Sequence, residues 1–296
     1  LAGGISDVLI SNEVVGDRKT VQLARLAASY PDARLGVCVD DPRAVAQLAH
    51  ACELAHTKLD IYIELDVGHN RAGVTDIGAV VALGNAIASQ ASLVLRGIHA
   101  YFGNAQHLRS IAERRQAITT ATATAQAAQR ALIAAGLRCD VITGAGTGTF
   151  MLEAAGGVYT EIQPGSYVMM DVDYAKNEQE LAWPAFEQSL MILTTVMSRR
   201  KDAQHDRATL DAGLKSFSTD SGPALPAFAG WQVRGVSDEH TVLECHGAGP
   251  ELLLGDKALL ILGHIDPTVN LQDWIVAVRG DRVEAVWPIE ARGAIF

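Results

Sequence analysis

The chain has 296 residues, 49% of them hydrophobic and 20% charged, which is the balance of a soluble globular protein with one large domain or two. Its formal net charge is −10 at pH 7 and its longest basic cluster is Arg199–Lys201, which argues against nucleic acid as a partner. No apolar run reaches the ~18 residues of a membrane span, and no signal-peptide pattern opens the chain. The four cysteines are scattered. We therefore expect a cytoplasmic protein with reduced thiols and no membrane partner.

The first half alternates β-rich runs with helical stretches, which is the pattern of a parallel α/β fold. A (β/α)8 barrel of the TIM type has eight such units in ~250 residues. The six units found here predict a barrel from which roughly two N-terminal units are missing, and an open six-stranded sheet is the alternative. The predicted strands are Asp7–Ser11, Arg34–Val39, Asp60–Val67, Val94–Ala100, Asp140–Thr143 and Tyr159–Ile162, and the predicted helices include Thr20–Ser29, Pro42–His56 and the long Ala105–Ala135.

The second half has a different texture, with short β-branched runs that Gly, Pro and Asp separate. These runs predict a mostly antiparallel β-domain. We place the barrel at residues 1–168 and the β-domain at residues 169–296. Within the β-domain, the segment Asp211–Phe228 is rich in Gly, Pro and Ser. Its length and composition predict an ordered loop that carries function.

A turn rich in glycine and threonine, TGAGTGTF at Thr143–Phe150, follows the fifth predicted strand. Glycine lets backbone N–H groups approach an anion closely, and the amino end of a following helix favours negative charge. In a barrel, the loop after the seventh strand is a common phosphate site, and two missing units would make this strand the seventh. The turn therefore predicts a phosphate site, with an ordinary strand–helix connector as the alternative.

Polar side chains also follow two neighbouring strands. The segment ELDVGHNRAGV carries Arg71 after the third predicted strand, and GIHAYFGNAQH carries Tyr101 after the fourth. Active sites of barrel enzymes lie at the carboxyl ends of the strands. Consecutive strand ends of this kind predict a polar active-site mouth.

Near the C-terminus, ALLILGHID predicts a strand that Pro267 closes, with His264 and Asp266 two residues apart. Side chains at i and i+2 of a strand share one face, so the imidazole and the carboxylate converge. Two protein ligands with open positions beside them suit a hard divalent ion. The alternative is a hydrogen-bonded pair at a strand end.

Eight motifs occur in an order that resembles one enzyme family. They are NEVVG, DVGHNRAGV, AYFGNAQH, TGAGTGTF, QPGSYVMMD, DAGLKSFSTDSG, SDEH and HIDPTVNL, and they span essentially the whole chain. They resemble the D-threonine aldolase and D-serine dehydratase-like family of fold-type III pyridoxal-phosphate (PLP) enzymes, which includes D-3-hydroxyaspartate aldolases and dehydratases. The resemblance implies an alanine racemase-like PLP barrel, a β-domain and a homodimer.

The resemblance also implies where the cofactor binds. The PLP phosphate would lie on the turn formed by Gly146, Thr147, Gly148 and Thr149, with the hydroxyl of Tyr167 added. Arg71 and Tyr101 would lie beside the pyridine ring. The Schiff-base lysine of the family belongs to the portion that we expect to be missing. The six lysines of this sequence are Lys19, Lys58, Lys176, Lys201, Lys215 and Lys257. None of them fits that role, so either the sequence begins after the catalytic lysine or this chain cannot form the cofactor linkage.

For the metal, the resemblance implies that His264 and Asp266 bind a divalent ion near the β-hydroxyl of the substrate. His240 of the SDEH motif would lie close to that ion without being a ligand. In the family's D-serine dehydratases, the second metal ligand looks like a cysteine in place of the carboxylate, and a cysteine ligand suits zinc. Asp266 instead favours Mn or Mg, with Ca or Zn possible.

Two reactions share this cofactor geometry, because PLP stabilises a carbanion at Cα whichever bond breaks. A metal on the β-hydroxyl can assist either retro-aldol cleavage or loss of hydroxide. Asp266 resembles the aldolase branch, so we expect a lyase that cleaves D-3-hydroxy amino acids, of the D-threonine or D-3-hydroxyaspartate type, to glycine and an aldehyde. A dehydratase of D-serine or 3-hydroxyaspartate, which gives a keto acid and ammonia, is the alternative. A non-catalytic PLP-binding protein is an alternative of another class.

Overall fold

The structure, a computed structural model, describes residues 1–293. The chain divides into two compact units, the first of Leu1–Pro164 and the second beginning at Gly165. This division falls after residue 164, where the sequence placed it after residue 168. Across the described range, no helix combines the length and the apolar character needed to cross a membrane.

The first unit is a parallel half-barrel sheet whose six strands lie in chain order, with helices between them. Every neighbouring pair of strands is parallel, as the alternating pattern predicted. The strands are β1 (Asp7–Glu13), β2 (Arg34–Val39), β3 (Leu59–Glu64), β4 (Leu93–His99), β5 (Val141–Gly144) and β6 (Glu161–Ile162). The helices are α1 (Asp17–Ser29), α2 (Pro42–Leu54), α3 (Ile77–Ala88), α4 (Ile111–Ala134) and α5 (Phe150–Gly156).

Branched aliphatic side chains of the strands form the core of this unit, and Ile61, Ile63 and Ile98 are completely buried. Helix α4 covers this core with small side chains. Its buried positions recur at helical spacing and half of them are alanine; they are Arg114, Ile118, Ala121, Ala125, Ala128 and Leu132. Alanine on the inner face lets the helix lie close to its neighbours, which explains why an Ala- and Thr-rich stretch is a packed helix and not a linker.

The long helix begins later than the sequence predicted. Helix α4 starts at Ile111, and Ser110 caps it by accepting a hydrogen bond from the Ala112 N–H at 3.2 Å. The residues before the cap form a short 3-10 turn, Gly103–His107. The Nη1 group of the buried Arg114 donates to the backbone oxygen of Leu108 at 2.5 Å, so α4 and its preceding loop are tied together. The predicted start at Ala105 was therefore wrong, because a serine cap outweighs the helix propensity of the residues before it.

The second unit contains an antiparallel six-stranded sheet with the strand order β10-β11-β8-β7-β12-β9, and a separate hairpin of β13 and β14. The mostly antiparallel β-domain was therefore predicted correctly. The strands are β7 (Met191–Lys201), β8 (Asp206–Leu210), β9 (Leu225–Pro226), β10 (Trp231–Val236), β11 (Thr241–Cys245), β12 (Lys257–Ile261), β13 (Trp274–Arg279) and β14 (Arg282–Pro288). Two short helices, α6 (Val172–Ala175) and α7 (Ile265–Val269), flank the sheet. The predicted functional loop is ordered, and its Phe217 is completely buried in the core of this unit.

The predicted strand through His264 and Asp266 was wrong. Strand β12 ends at Ile261, and His264 is instead the N-cap of α7. At Gly263 the chain passes so close to another loop that a Cβ there would lie 2.2 Å from the backbone oxygen of Gly222. This crossing ends the strand, and Pro267 then sits in the first turn of α7, where its missing N–H leaves no helical bond unmade.

Candidate cofactor and metal sites

Polar side chains of the first unit gather at the carboxyl end of its sheet. Glu13, Glu64 and His99 are the last residues of β1, β3 and β4, and Cys38 is the last but one of β2. Cys38, Glu64 and His99 are at most 5% exposed. Because the carboxyl ends of parallel strands meet at one edge of a sheet, four strands place acidic, thiol and imidazole groups together.

Arg71 and Tyr101, both predicted to lie beside the pyridine ring, are brought together by the structure. The guanidinium carbon of Arg71 lies 5.8 Å from the centroid of the Tyr101 ring. Two imidazoles flank the same ring, with centroid distances of 6.0 Å for His69 and 6.4 Å for His99. The site therefore contains an aromatic ring, a permanent cation and two histidines.

His69 lies in the DVGHNRAGV motif, but no pattern in the sequence predicts a role for it. Its burial, together with the charge of Arg71, lowers the pKa of the His69 imidazole, so the ring is neutral near pH 7. The ring lies against Gly103, where a Cβ would be 2.3 Å from the His69 Cε1 atom. A side chain at residue 103 would therefore displace the His69 ring from this contact between the loop of Arg71 and the loop that follows Tyr101.

The glycine- and threonine-rich turn follows β5, and Ala145 opens it with a positive φ of 67°. The completely buried side chain of Gln106 organises the turn, since its Oε1 accepts a hydrogen bond from the Gly148 N–H at 3.0 Å. A Cβ on Gly148 would lie 2.4 Å from the backbone oxygen of Gln106, and one on Gly146 would lie 2.6 Å from its Oε1. The glycines are thus required by close packing against Gln106, a residue that the sequence prediction missed.

Thr149 completes the internal bonding of this turn. Its hydroxyl accepts from the Gln106 Nε2 at 2.9 Å and donates to the Glu153 Oε1 at 2.8 Å, and its backbone N–H donates to the Gly146 oxygen at 3.1 Å. Burial raises the pKa of Glu153 to about 7. The N–H groups of Gly148 and Thr149 are therefore engaged within the turn.

Tyr167, predicted to add a hydroxyl to the phosphate site, belongs to the second unit. It lies in the 3-10 turn Ser166–Val168, and its side chain is 36% exposed. Its ring packs edge-on against Phe186, with centroids 5.2 Å apart. This contact fixes the tyrosine ring within its own unit.

The predicted metal pair meets at the start of α7. The Nε2 atom of His264 lies 3.9 Å from the Asp266 Oδ2, and its Nδ1 lies 2.6 Å from the Asp220 Oδ2. Ligand atoms ~2.1 Å from one ion and at right angles to each other are ~3 Å apart. The Asp266 side chain is 72% exposed, so its carboxylate has room to turn toward the imidazole. A histidine that binds a metal through one nitrogen commonly has a carboxylate on the other, so these residues fit a divalent ion.

Asp220 was missed as a functional residue, although it lies in the loop predicted to carry function. Burial alone would raise the pKa of Asp220. The hydrogen bonds from the Ser218 hydroxyl and the His264 ring together outweigh burial, so the pKa is lowered and the carboxylate stays charged. The Ser218 hydroxyl donates to the Asp220 Oδ1 at 2.7 Å. A charged, fixed carboxylate sets the orientation of the His264 ring.

A second buried carboxylate, that of Asp171, holds the beginning of α7. It is completely buried and accepts hydrogen bonds from the backbone N–H groups of Ile265 at 3.3 Å and Tyr174 at 2.9 Å. Burial raises its pKa. Asp171 closes the QPGSYVMMD motif, and its contact with the residue after His264 gives that motif a structural role.

His240 lies in the turn between β10 and β11. Its backbone oxygen accepts from the Ser237 N–H at 2.8 Å, and a Cβ on Gly213 would lie 2.5 Å from the His240 nitrogen. The segment that starts at Gly213 continues to Ser218, whose N–H donates to the Thr268 Oγ1 of α7 at 3.0 Å. The SDEH turn and the helix after His264 thus border the same segment.

The first unit also contains a possible metal site that the sequence did not suggest. Cys38, Glu64 and His99 each offer a ligand atom, and these atoms lie within 4.8 Å of one another. The three residues come from adjacent strands and lie far apart in the sequence. Only knowledge of the strand order could have placed them together.

None of the six lysines occupies a strand end of the parallel sheet. Lys58 immediately precedes β3, and Lys19 lies in α1. In the second unit, Lys215 pairs with Glu239 at 2.6 Å, and Lys257 donates to the Thr195 hydroxyl at 2.7 Å.

Comparison with known protein families gives two matches. Residues 19–173 match the family described as "Alanine racemase, N-terminal domain". Residues 189–278 match the family described as "Putative serine dehydratase domain". The first match contains β2 to β6, and the second covers all six strands of the antiparallel sheet and extends over His264 and Asp266.

The chain is similar over nearly all of its length to two bacterial aldolases. It is 41% identical to a D-threonine aldolase of an Arthrobacter species, over 99% of this chain and 76% of that protein. It is 42% identical to a 3-hydroxy-D-aspartate aldolase of Paracoccus denitrificans, over 98% of this chain and 75% of that protein. A D-threo-3-hydroxyaspartate dehydratase of a Delftia species is more distant, with 28% identity over 75% of this chain and 57% of that protein.

The fold agrees with these similarities. The crystal structure of D-threonine aldolase from Filomicrobium marinum superposes with a TM-score of 0.93 and 40% sequence identity, covering 100% of this chain and 79% of that one. The parallel sheet and the antiparallel domain follow one another in the order that the resemblance implied. The chain belongs to the fold-type III pyridoxal-phosphate family that contains D-threonine aldolase and 3-hydroxy-D-aspartate aldolase.

Proposed function

We propose that this protein is a PLP- and divalent metal-dependent aldolase that cleaves D-3-hydroxy amino acids, of the D-threonine or D-3-hydroxyaspartate type, to glycine and an aldehyde. The observation that carries this proposal is the arrangement around His264, whose ring is oriented by Asp220 on one side and faces Asp266 on the other. The similar aldolases support the same reaction class.

The residues at the carboxyl edge of the parallel sheet fit PLP. Arg71 places a permanent positive charge against the Tyr101 ring, and Gln106 ties the loop after Tyr101 to the glycine-rich turn. The buried Glu13 Oε1 has no hydrogen-bond partner within residues 1–293, as expected where a further polar group belongs. We assign the pyridine ring to Arg71 and Tyr101. We assign the phosphate to the turn of Gly146, Thr147, Gly148 and Thr149, to which Tyr167 adds a hydroxyl. When bound, PLP supplies an electron sink for the carbanion at Cα.

The residues of the second unit would act on the β-hydroxyl of the substrate. His264 Nε2 and the Asp266 carboxylate would hold the divalent ion, while Asp220 keeps the imidazole in the required orientation. Two protein ligands leave positions for water and for the substrate hydroxyl, which is the open arrangement of a catalytic site. A bound ion would polarise that hydroxyl and favour its deprotonation. The carboxylate ligand favours Mn or Mg over zinc. His240 would lie near this ion without binding it.

The proposed reaction is distinguished from dehydration by its products. The native protein, supplied with PLP and Mn, is incubated with D-threonine, D-3-hydroxyaspartate and D-serine. We expect glycine and an aldehyde from at least one of the first two. Keto acid and ammonia as the only products would instead establish the dehydratase alternative. No product from any substrate, despite bound PLP, would support a non-catalytic PLP-binding protein.

The cofactor linkage has its own test. The native protein is reduced with borohydride in the presence of PLP, and its intact mass and labelled peptide are measured. We expect no label on any of the six lysines of this sequence. A label on Lys58 or on any other of the six would refute that assignment.

We further propose that the enzyme is a cytoplasmic homodimer whose active site is completed by the partner subunit, as the family resemblance implies. Sedimentation and activity are measured together over a dilution series. Full activity in a monomer at nanomolar concentration would rule this assembly out.

A further inference from the structure

Arg71 lies in a loop that follows β3 and returns to the end of the same strand. We call residues 65–74 the Arg71 loop. Its two ends are joined by backbone hydrogen bonds, because the Asp66 N–H donates to the Val74 oxygen at 3.0 Å and the Val74 N–H donates to the Glu64 oxygen at 3.0 Å. Two aspartates in contact with this loop, Asp40 and Asp66, have no part in the proposed binding of PLP and metal.

The backbone of the Arg71 loop takes a conformation that most residues avoid. Gly68, Asn70 and Gly73 have φ values of 122°, 56° and 103°, all in the left-handed region. Asn70 has a Cβ, so this conformation is unfavourable for it unless neighbouring groups hold the backbone in place. Arg71 directly follows Asn70. The direction in which the Arg71 side chain leaves the loop therefore depends on how this backbone is held.

Asp66 holds the part of the loop that precedes Arg71. Its Oδ1 accepts a hydrogen bond from the Gly68 N–H at 2.8 Å. Both of its oxygens accept from the Asn70 N–H, Oδ1 at 3.1 Å and Oδ2 at 3.0 Å. An aspartate that accepts from backbone N–H groups a few residues later stabilises a turn that has neither helix nor strand partners. Asp66 thus fixes the residue immediately before Arg71.

Asp40 holds the part of the loop that follows Arg71. It comes directly after β2, and its Oδ2 accepts from the Gly73 N–H at 3.1 Å. A Cβ on Gly73 would lie 2.7 Å from the Asp66 nitrogen, so the two arms of the loop pack closely at this point. The two carboxylates therefore bond to the backbone on both sides of Arg71, and they come from two neighbouring strands.

The loop that follows Tyr101 supports the Arg71 loop from a third side. The Asn104 Nδ2 donates to the His69 backbone oxygen at 3.3 Å. A Cβ on Gly68 would lie 2.9 Å from the Phe102 ring, so the two loops are in close contact. The conformation of the Arg71 loop is thus set before any cofactor binds.

We infer that Asp40 and Asp66 are positioning residues, which hold the Arg71 loop in the backbone conformation that presents Arg71 to the proposed cofactor site. Within residues 1–293, neither carboxylate pairs with the Arg71 guanidinium; each bonds to the backbone instead. The guanidinium carbon is held 5.8 Å from the centroid of the Tyr101 ring. A cation fixed in advance lowers the cost of binding a ligand. The inference rests on the proposed function, because Arg71 is assigned there to the pyridine ring.

The first test measures the loop itself, in native protein from which PLP has been removed. Hydrogen–deuterium exchange is followed in peptides that cover residues 66–74. We expect Asp66→Ala to speed this exchange about 10-fold or more, because two N–H groups lose a charged acceptor. The matched control is Asp76→Ala, since Asp76 caps α3 by accepting one of its N–H groups at 2.9 Å. The control should leave the exchange of the Arg71 loop unchanged. Equal exchange in wild type and Asp66→Ala would overturn the inference.

The second test asks whether Asp66 acts through Arg71. PLP is titrated into the protein without cofactor, and its absorbance gives the affinity. We expect Asp66→Ala to weaken PLP binding about 10-fold, and Asp66→Asn only about 2- to 3-fold because an amide oxygen can still accept from the loop. In an Arg71→Met background, Asp66→Ala should weaken binding less than about 2-fold, since residues that act through one another are not additive. A full effect in that background would show a merely structural role and overturn the inference.

Asp40 is tested in the same titration. Asp40→Ala removes one hydrogen bond to the loop, so we expect PLP binding to weaken about 3-fold. The matched control is Asp41→Ala, because the neighbouring Asp41 caps α2 by accepting from the Arg43 N–H at 2.7 Å and does not contact the loop. Equal PLP affinities of the two variants would overturn the role of Asp40.

The outcomes separate this inference from the proposed function. If Arg71→Met weakens PLP binding but a folded Asp66→Ala protein does not, the positioning role is overturned and the proposed function stands. If wild-type protein binds no PLP, or if Arg71→Met binds it as wild type does, the assignment of Arg71 is contradicted and the positioning role falls with it. If Asp66→Ala does not fold, Asp66→Asn and Asp40→Ala supply the same comparison in the wild-type and Arg71→Met backgrounds.

Discussion

His99 and His264 each lie beside carboxylates, but the two regions use this arrangement differently. His99 is 2% exposed, and protein groups face both of its ring nitrogens. The side chain of His264 is 23% exposed, with Asp220 in contact on one side and a 3.9 Å gap to Asp266 on the other. The first arrangement is closed and suits positioning, whereas the second leaves room for a ligand. Burial without an open coordination position is therefore the feature that separates the two histidines.

The largest effect is expected where the open arrangement is destroyed. Asp266→Ala should lower kcat/KM by more than about 1000-fold, which is ~4 kcal/mol, because the metal loses one of its two protein ligands. The melting temperature should be nearly unchanged, since the Asp266 side chain is 72% exposed. Activity is measured after chelation and reloading with Mn, Mg or Zn.

Mn or Mg should restore the chelated wild-type enzyme and zinc should do so poorly, while Asp266→Cys should shift this preference toward zinc. Full activity of the chelated enzyme, or failure of Asp266→Ala to fold, would show that the pair is structural.

A large effect on stability, and not on activity, is expected at Glu153, which is buried behind the glycine-rich turn. Burial raises the pKa of this carboxyl from 4.5 to about 7, so its ionisation opposes folding. The free energy of unfolding should therefore fall as the pH rises from about 4.5 through 7, by an amount on the order of 3 kcal/mol. Glu153→Gln removes this contribution. In denaturant titrations, its free energy of unfolding should exceed that of wild type by more at pH 8 than at pH 5. An equal difference at the two pH values would contradict the assignment.

A smaller effect on activity is expected when the carboxylate behind the metal ligand is weakened. Asp220→Asn keeps the shape of the side chain but removes the charge that orients His264 at 2.6 Å. Loss of such a supporting carboxylate typically costs about 10- to 100-fold in metal affinity or activity. Titration of Mn into the chelated protein measures the affinity. The control is Asp256→Asn, because the Asp256 carboxylate accepts a hydrogen bond from the Leu253 N–H in a turn before β12. If the affinity for Mn falls equally in both variants, Asp220 does not orient the metal ligand.

The smallest effect is expected from a methyl group in the glycine-rich turn. Gly148→Ala would place a Cβ 2.4 Å from the backbone oxygen of Gln106, so we expect a loss of about 1–3 kcal/mol in the free energy of unfolding. The matched control is Gly156→Ala, where no atom lies within 4 Å of the new Cβ. The control should be neutral or slightly stabilising in the same denaturation experiment. Equal stability of the two variants would refute the packing role of Gly148. If Gly148→Ala is destabilised and also binds PLP more weakly, the weaker binding would reflect the distorted turn as much as a blocked phosphate.

Local sequence pattern determined the elements of this protein and much of its chemistry. Strand β2 was predicted with its observed bounds, and the change from alternating units to antiparallel strands is visible in the position of Gly, Pro and β-branched residues. These features depend on neighbours along the chain, which a sequence displays directly. The order of the eight motifs likewise indicated the family, and the comparisons confirmed it.

Contacts between distant residues were decided only by the tertiary structure. Asp220 meets His264 because the chain crosses at Gly222 and Gly263, and that crossing also ends β12 and replaces the predicted strand by a capped helix. Glu64 meets His99 because β3 and β4 lie side by side in register. Hydrophobic periodicity specifies which face of an element is buried, but it carries no information about which polar groups of other elements reach that face.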